Sequence, residues 1–401
     1  MSGVDVSVAG SGDVPLFWRP EDLPAWQRWQ RAQWPASRRL ADTARRLARA
    51  GRGAFAAGRG AAPAPESGLR LVLPTGDVHT LVGVESAGPT QRAALVEPVR
   101  ALAEGRTGHA AADAARAAAG VGWVVPADVV EALLPDLPGS DALSVHAVDA
   151  VLVAQRLGGL RRVLVAGEYL PAGRAAARCA RERGARVGVV QHGLLAVSTP
   201  PVPRDAVLYA FTERDAHWWT QGRTDVQAVA VGSALLEAAR RTASHAVADA
   251  ADRAAGPGVF LGQLHGAELP RADFARAAQE YVRATGAAYR PHPAERDRLS
   301  LAQHEAWRKA GLRIDPSTGP LASTAGPVAA VFSTGILEAA QAGRPAWAVH
   351  PAPPAWLEGF WERYGMTRWR PGAEPEPTPP LASPSADPAA AIAAHLWKET
   401  A

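Results

Sequence analysis

Residues 161–193 read RRVLVAGEYLPAGRAAARCARERGARVGVVQHG. VLVA is an apolar run with no polar alternation, so it predicts a strand buried on both faces. PAGRAAARCARERG predicts a helix, with Gly184 as its stop. ARVGVVQHG predicts a second strand of the same buried kind. Strand, helix and buried strand in succession imply parallel pairing and an α/β sheet with helices on its faces.

The alternation extends in both directions. Upstream, LRLVLPTGD and HTLVGVES read as strands and as a candidate hairpin, followed by a helix in RTGHAAADAARAAA and a strand in GWVVPAD. ALSVHAVDAVLVAQRLGG reads as one helix. Downstream, AVLYAFT, ERDAHWWTQ and VQAVAVGS read as strand, helix and strand. ALLEAARRTASHAVADAADRAA reads as a connecting helix. GPGVFLGQLHG then restarts the pattern, which continues through AAYRPHP, LRIDP, PVAAVFS and RPAWAVH, with helices in between. The expected organisation is an N-terminal extension over 1–65, an α/β domain over 66–233, a linker helix over 234–256, a second α/β domain over 257–350, and a Pro- and Trp-rich strap with a terminal helix over 351–401. Two doubly wound, Rossmann-like domains should face each other across a cleft.

The composition suits this reading. The chain has 401 residues, 47% hydrophobic and 20% charged, which fits a globular protein of two domains. Its net charge of +4 is small and suits anionic small ligands. No finger, homeodomain or RNP pattern is present, so nucleic acid is not an expected partner. Cys179 is the only cysteine. It rules out an intramolecular disulfide or a multi-cysteine metal site and suggests a reducing, cytoplasmic setting. MSGVDVSVAG lacks the pattern of a signal peptide, and no apolar run reaches the ~18 residues of a membrane span.

The extension mixes Trp18, Trp26, Trp29 and Trp34 with many arginines. Asp22 is placed to cap a helix with Pro24 in its first turn, and Leu40 and Leu47 lie seven residues apart. The favoured reading is a pair of helices whose tryptophans pack on the body of the protein. The other is an interfacial helix in peripheral contact with an anionic membrane.

In doubly wound sheets, ligands bind beyond the carboxyl ends of the strands. That rule selects Glu168, Gln191-His192-Gly193, Gln263 to Gly266, Arg290 to Glu295, and Ser333-Thr334-Gly335. In AAYRPHPAERD, two prolines stiffen the exit from a strand and hold His292 in one direction. Arg290 and His292 combine a planar fork with an imidazole, a pair suited to phosphate. In VFSTGILEAA, Ser333 and Thr334 are helix-capping types and Gly335 permits close approach to the backbone. The helix start is a seat for an anion, with Glu338 one turn on. The competing reading is plain capping, with the carboxylate closing a capping box. His192 ends a strand and suits a base or an anion donor. Glu168 and Asp77 also end strands and are candidate carboxylate bases.

Several chemistries lack their motifs. There is no G-x-G-x-x-G, no G-x-x-x-x-G-K-[ST] and no G-x-S-x-G. No D-x-D pair is present to chelate a metal-bound nucleotide diphosphate. No metal or cofactor is therefore expected. A phosphate leaving group would then depend on arginine, histidine, hydroxyls and helix amides.

These motifs resemble those of bacterial GT-B glycosyltransferases that carry an HP motif and a Ser-Ser/Thr motif. That group includes sialyl- and polysialyltransferases using CMP-sialic acid and capsule transferases using CMP-Kdo. CDP-glycerol glycerophosphotransferases of teichoic acid synthesis are relatives. YRPHP matches the HP motif, FSTGILEAA the Ser/Thr motif, FLGQLHG the first strand and loop of the nucleotide domain, and VVQHG an acceptor-domain histidine motif. The resemblance covers about residues 160–350. It implies a metal-independent transferase that moves a sugar from a CMP-activated donor to a hydroxyl of a glycan or other acceptor. His292, Ser333 and Thr334 would hold the nucleotide phosphate, Gln263 would lie near the nucleotide, and His192 would serve the acceptor side. The acidic motif of polysialyltransferases is not evident, which leaves the base open between Glu168 and His192. Glycerophosphotransfer, sugar-nucleotide epimerisation and non-catalytic binding of a sugar nucleotide are the alternatives.

Overall fold

A computed structural model describes residues 17–32, 68–245, 256–317, 321, 326–373 and 375–398. Trp34, Leu40, Leu47 and residues 246–255 of the expected linker helix lie outside the described residues. The chain divides into two compact units. The larger comprises Trp18–Gly193, Pro200–Leu235 and Ser383–Ala401, and the smaller includes Leu194–Thr199 and Leu236–Ala382. Of the tail after 350, residues through Ala382 belong to the smaller unit and the terminal helix to the larger.

The larger unit is built on eight strands: β1 Leu69–Leu73, β2 Thr80–Gly83, β3 Val121–Pro126, β4 Ser144–Ala147, β5 Arg162–Val165, β6 Arg186–Val190, β7 Val207–Ala210 and β8 Gln227–Ala230. Their order is β4-β1-β3-β2-β5-β6-β7-β8. The block from β3 to β8 is parallel, with Val82 opposite Leu164 and Leu164 opposite Gly188. β1 runs antiparallel to both β3 and β4. The expected hairpin between LRLVL and HTLVG is absent, because β2 pairs with β3 and β5 instead. The apolar character that marked both segments suits any central strand and carries no pairing information.

The segment 142–159, expected as one helix, splits into β4 and a helix over Ala150–Arg156. Asp149 starts that helix by accepting a 2.8 Å hydrogen bond from the Leu152 amide. A helix over Glu97–Ala103, not expected from the sequence, packs through Ala101 against Ala389 and Ala390 of the terminal helix Pro388–Leu396.

The opening segment, 161–193, forms β5, a helix and β6. We label that helix α1, Pro171–Arg183; it ends at Gly184 in the left-handed conformation with φ 64°. Ala172, Ala175, Ala176, Cys179 and Ala180 are buried at helical spacing. Small residues bring α1 onto the strand ends: a Cβ on Gly173 would lie 2.1 Å from the Gly167 carbonyl oxygen. Trp26, on the helix Leu23–Ala32, is buried and meets the edge of Tyr169 at 5.4 Å between ring centroids.

The smaller unit has four parallel strands: β9 Val259–Leu261, β10 Ala288–Arg290, β11 Val328–Ala330 and β12 Ala346–Ala348, in the order β10-β9-β11-β12. LRIDP, expected as a strand, contributes a single bridge from Ile314 to Tyr289. Phe260, Phe274, Tyr281, Tyr289, Trp307 and Phe360 fill the core around the sheet. Each unit is of Rossmann type, and the chain thus contains the pair of α/β units that a GT-B-like fold requires. Among the described residues, no helix is long and apolar enough to cross a membrane.

Candidate functional site

In the smaller sheet, β9 has β10 on one side and β11 on the other, so the connections diverge from its C-terminal end. A crevice opens at such a divergence, and ligands bind there. Three loops leave the sheet at this point: 262–266 after β9, 291–295 after β10, and 331–333 after β11.

The loop after β9 is fastened to both neighbours. The Gln263 side-chain oxygen accepts hydrogen bonds from the Val331 and Phe332 amides at 3.1 and 3.0 Å, which ties it to the turn after β11. The Leu264 amide donates to Glu295 Oε1 at 3.0 Å, which ties it to the loop after β10. Gly262 is required here, since a Cβ would lie 2.4 Å from Tyr289 Oη and 2.6 Å from Glu295 Oε1. Gln263, read as close to a nucleotide, thus spends its carbonyl oxygen on organising the crevice.

Glu295 was expected among the ligand-binding groups; the structure places it beneath them. It is buried and accepts from Tyr289 Oη at 2.9 and 3.1 Å, and its Oε2 lies 2.8 Å from His304 Nε2. Burial alone would raise its pKa. The hydrogen bonds from His304, Tyr289 and Leu264, with His265 beside it, prevail and lower it. It is therefore an ionised carboxylate that organises two loops. Arg290 is likewise buried, and its backbone oxygen accepts from the Gly262 amide.

His292 is exposed on the loop after β10. Its Nδ1 accepts from the Ala294 amide at 3.1 Å, so the ring proton belongs on Nε2. Its ring stacks on His265 with centroids 4.0 Å apart and planes at 22°. Partial burial, with His265 adding to it, lowers its pKa to about 4 and keeps it neutral.

After β11, Ser333 caps the helix α2, Thr334–Gln341, accepting from the Gly335 amide at 3.1 Å. Glu338 is five positions beyond this cap and does not close a capping box, which needs the third. Burial raises its pKa. Thr334 and Glu338 share one helix face, one turn apart. Gly335 was expected to admit a ligand. It is instead buried, and a Cβ there would lie 2.3 Å from Leu261 Cδ1, so its small size serves the packing of α2 on β9.

The larger unit has its own divergence between β2 and β5, and the residues expected on the acceptor side flank it. Glu168 follows β5 and is ion-paired with Arg181 of α1. Gln191 follows β6 and is buried. Its oxygen accepts from the Phe211 amide at 2.8 Å, and its amide donates to the Gly193 oxygen at 3.0 Å, so it braces β6 against β7. Gly193 has open space where a Cβ would be, and its φ is not positive. His192 Nε2 lies 3.2 Å from Tyr169 Oη. Burial lowers its pKa to about 4, and its Nδ1 is buried with no hydrogen-bond partner among the described residues.

Two residues here escaped the sequence reading. Tyr169 links His192 to Trp26, and burial together with the nearby Glu85 raises its pKa. Glu85 follows β2 and accepts from the Gly173 amide at 3.0 Å, so it occupies the N-terminus of α1. Burial raises the pKa of Glu85 despite those amides. The signal that was available is position: Glu85 ends the strand at which the chain order diverges. Among the described residues, no group of three or more His, Cys, Asp or Glu is arranged to hold a metal ion.

No protein-family model matches this sequence, and no curated protein matches it. Among solved structures, the chain is similar to a UDP-N-acetylglucosamine 2-epimerase from Rickettsia bellii, with 12% sequence identity and a TM-score of 0.39, over 68% of this chain and 80% of that one.

Proposed function

We propose that the protein is a metal-independent, nucleotide-sugar-dependent glycosyltransferase that uses a CMP-activated acidic sugar. The observation that carries this reading is the cluster of loops at the C-terminal edge of the smaller sheet. There His292, with its proton on Nε2, and the Ser333-capped start of α2 lie on the loops either side of 262–266, and Gln263 ties that loop to the turn before α2. Neutral donors and helix amides of this kind stabilise a departing phosphate without a metal.

In this mechanism an acceptor hydroxyl oxygen attacks the anomeric carbon as the bond from that carbon to the phosphate oxygen breaks. CMP departs with the electron pair, and its phosphate is held by His292 and the start of α2. The acceptor proton passes to a base, for which Glu168 and His192 remain the candidates.

The test is a thermal-shift panel of CMP, CDP, UMP, UDP and GDP with and without magnesium, followed by donor turnover. A cytidine-selective shift indifferent to metal, with CMP and a glycoside as products, is expected. Release of CMP with a phosphodiester would replace the reading with glycerophosphotransfer. Turnover without an acceptor would replace it with epimerisation. Stabilisation with no turnover would leave a binding protein.

A further inference from the structure

His265 lies within FLGQLHG, and the mechanism above gives it no role. It sits on the central of the three loops, which is fastened on one side to the turn before α2 and on the other to the loop of His292. Its ring lies on that of His292, and its Nδ1 is 4.0 Å from the buried carboxylate of Glu295. From the stacking of His265 between His292 and Glu295, we propose that His265 is a second phosphate-binding residue. It supplies the positive charge of the crevice, while His292 supplies a neutral hydrogen bond. The inference rests on the nucleotide-binding reading of this crevice and adds to it the charge that a phosphate dianion needs.

The division of labour follows from which nitrogen is free. Protonating His292 at Nδ1 would break its bond from the Ala294 amide, so a second proton there costs a hydrogen bond. His265 faces no such loss: its Nδ1 points toward an ionised carboxylate. Two imidazolium rings 4.0 Å apart would repel, so the stack has room for at most one charge. The titratable groups around His265 are His292 and Glu295 on the neighbouring loop, with Tyr289 of β10 and His304 behind Glu295. On its own loop, Glu268 accepts from Ser198 and from the Ala267 amide. Glu295 fixes the polarity of the group. Its charge is held by interior hydrogen bonds, and it is buried, so it binds no ligand itself. A phosphate on the open side of the stack gives His265 a second anionic neighbour.

The experiment is nitrogen-15 NMR of the histidine side chains in the full-length protein at pH 8, where an ordinary histidine is neutral. CMP, UMP and inorganic phosphate are titrated in turn, and His265→Gln assigns the signal. CMP should convert His265 to the imidazolium pattern and leave His292 as the Nε2–H tautomer. Calorimetry in two buffers should show uptake of up to one proton per CMP. In His265→Gln that uptake should vanish and CMP affinity should fall by roughly tenfold or more, with cytidine affinity unchanged. The wild-type spectra decide the matter even if the variant folds poorly. An imidazolium at His292, or CMP binding with His265 unperturbed, overturns the inference and leaves the nucleotide reading standing. A His265 response to UMP or phosphate but not to CMP removes the cytidine reading and keeps the inference. No response to any of the three removes the inference.

Discussion

Substituting Glu295 by glutamine should weaken the smaller unit and its crevice together. The carboxylate is almost fully enclosed and receives Tyr289 Oη, the Leu264 amide and His304 Nε2 at 2.8–3.1 Å. Glutamine keeps one oxygen for Leu264 but turns an NH2 group toward His304, which must then change tautomer to accept. A hydrogen bond to a charged group is worth ~1.5–3 kcal/mol and a neutral one ~1. Loss of charge from three bonds, partly offset by re-pairing, gives about 2–4 kcal/mol. For a unit of this size that corresponds to a fall in Tm of roughly 4–16 °C.

The pH dependence supplies a sign. The folded pKa of Glu295 lies below its ordinary value of 4.5, so its stabilisation is complete above that pH and is lost as acid protonates it. Wild type and Glu295→Gln should therefore differ most at neutral pH and converge as pH falls below about 4.5. Calorimetric unfolding at pH 7 and pH 4, with CMP titrations at pH 7, measures all three effects. A difference under about 0.5 kcal/mol at pH 7, or one unchanged on acidification, would refute the account of Glu295 as an ionised hub.

His292→Ala should lower donor turnover by ~100-fold, the usual consequence of losing one transition-state donor. The side chain's bond to the Ala294 amide lies at the surface, so chemical denaturation should show stability within about 1 kcal/mol of wild type. Gly262→Ala must displace Tyr289 or Glu295 and should cost about 1–3 kcal/mol by urea titration. Gly193→Ala meets no atom within 4 Å and should fall within about 0.5 kcal/mol of wild type. His192, with its pKa lowered from 6.5 to about 4, contributes stability that is present above pH 6.5 and lost as pH falls toward 4. Unfolding measured across that window should show the loss in wild type and a flatter profile in His192→Gln.

The sheet strands were legible because a strand buried on both faces must be apolar whatever its neighbours, as in RVLV and VLYA. Pairing was not: nothing in LRLVL says that its partners are β3 and β4 rather than β2. The segment 142–159 misled because its apolar residues fit a helical period, while Asp149, which divides it, is a cap that sits inconspicuously within that run. At the site, backbone devices were visible. The prolines around His292 and the Ser-Thr start of α2 act locally, within a few residues of where they are written. Contacts over longer separations left no trace. Glu295 reads as a loop carboxylate until Tyr289, Leu264 and His304 are seen around it. His265 is one loop histidine among others until its ring is found on His292. Glu85 meets the Gly173 amide across 88 residues of chain.

The return of the terminal helix to the larger unit has a consequence for biosynthesis. Ala389 and Ala390 pack on Ala101, and Arg106 pairs with Asp387, although nearly three hundred residues separate these partners. A ribosome therefore delivers every strand of the eight-stranded sheet, then the four strands of the smaller sheet, before the piece that covers the Glu97–Ala103 helix. The portion begun first is completed last, so the nascent chain carries an uncovered alanine surface through most of translation.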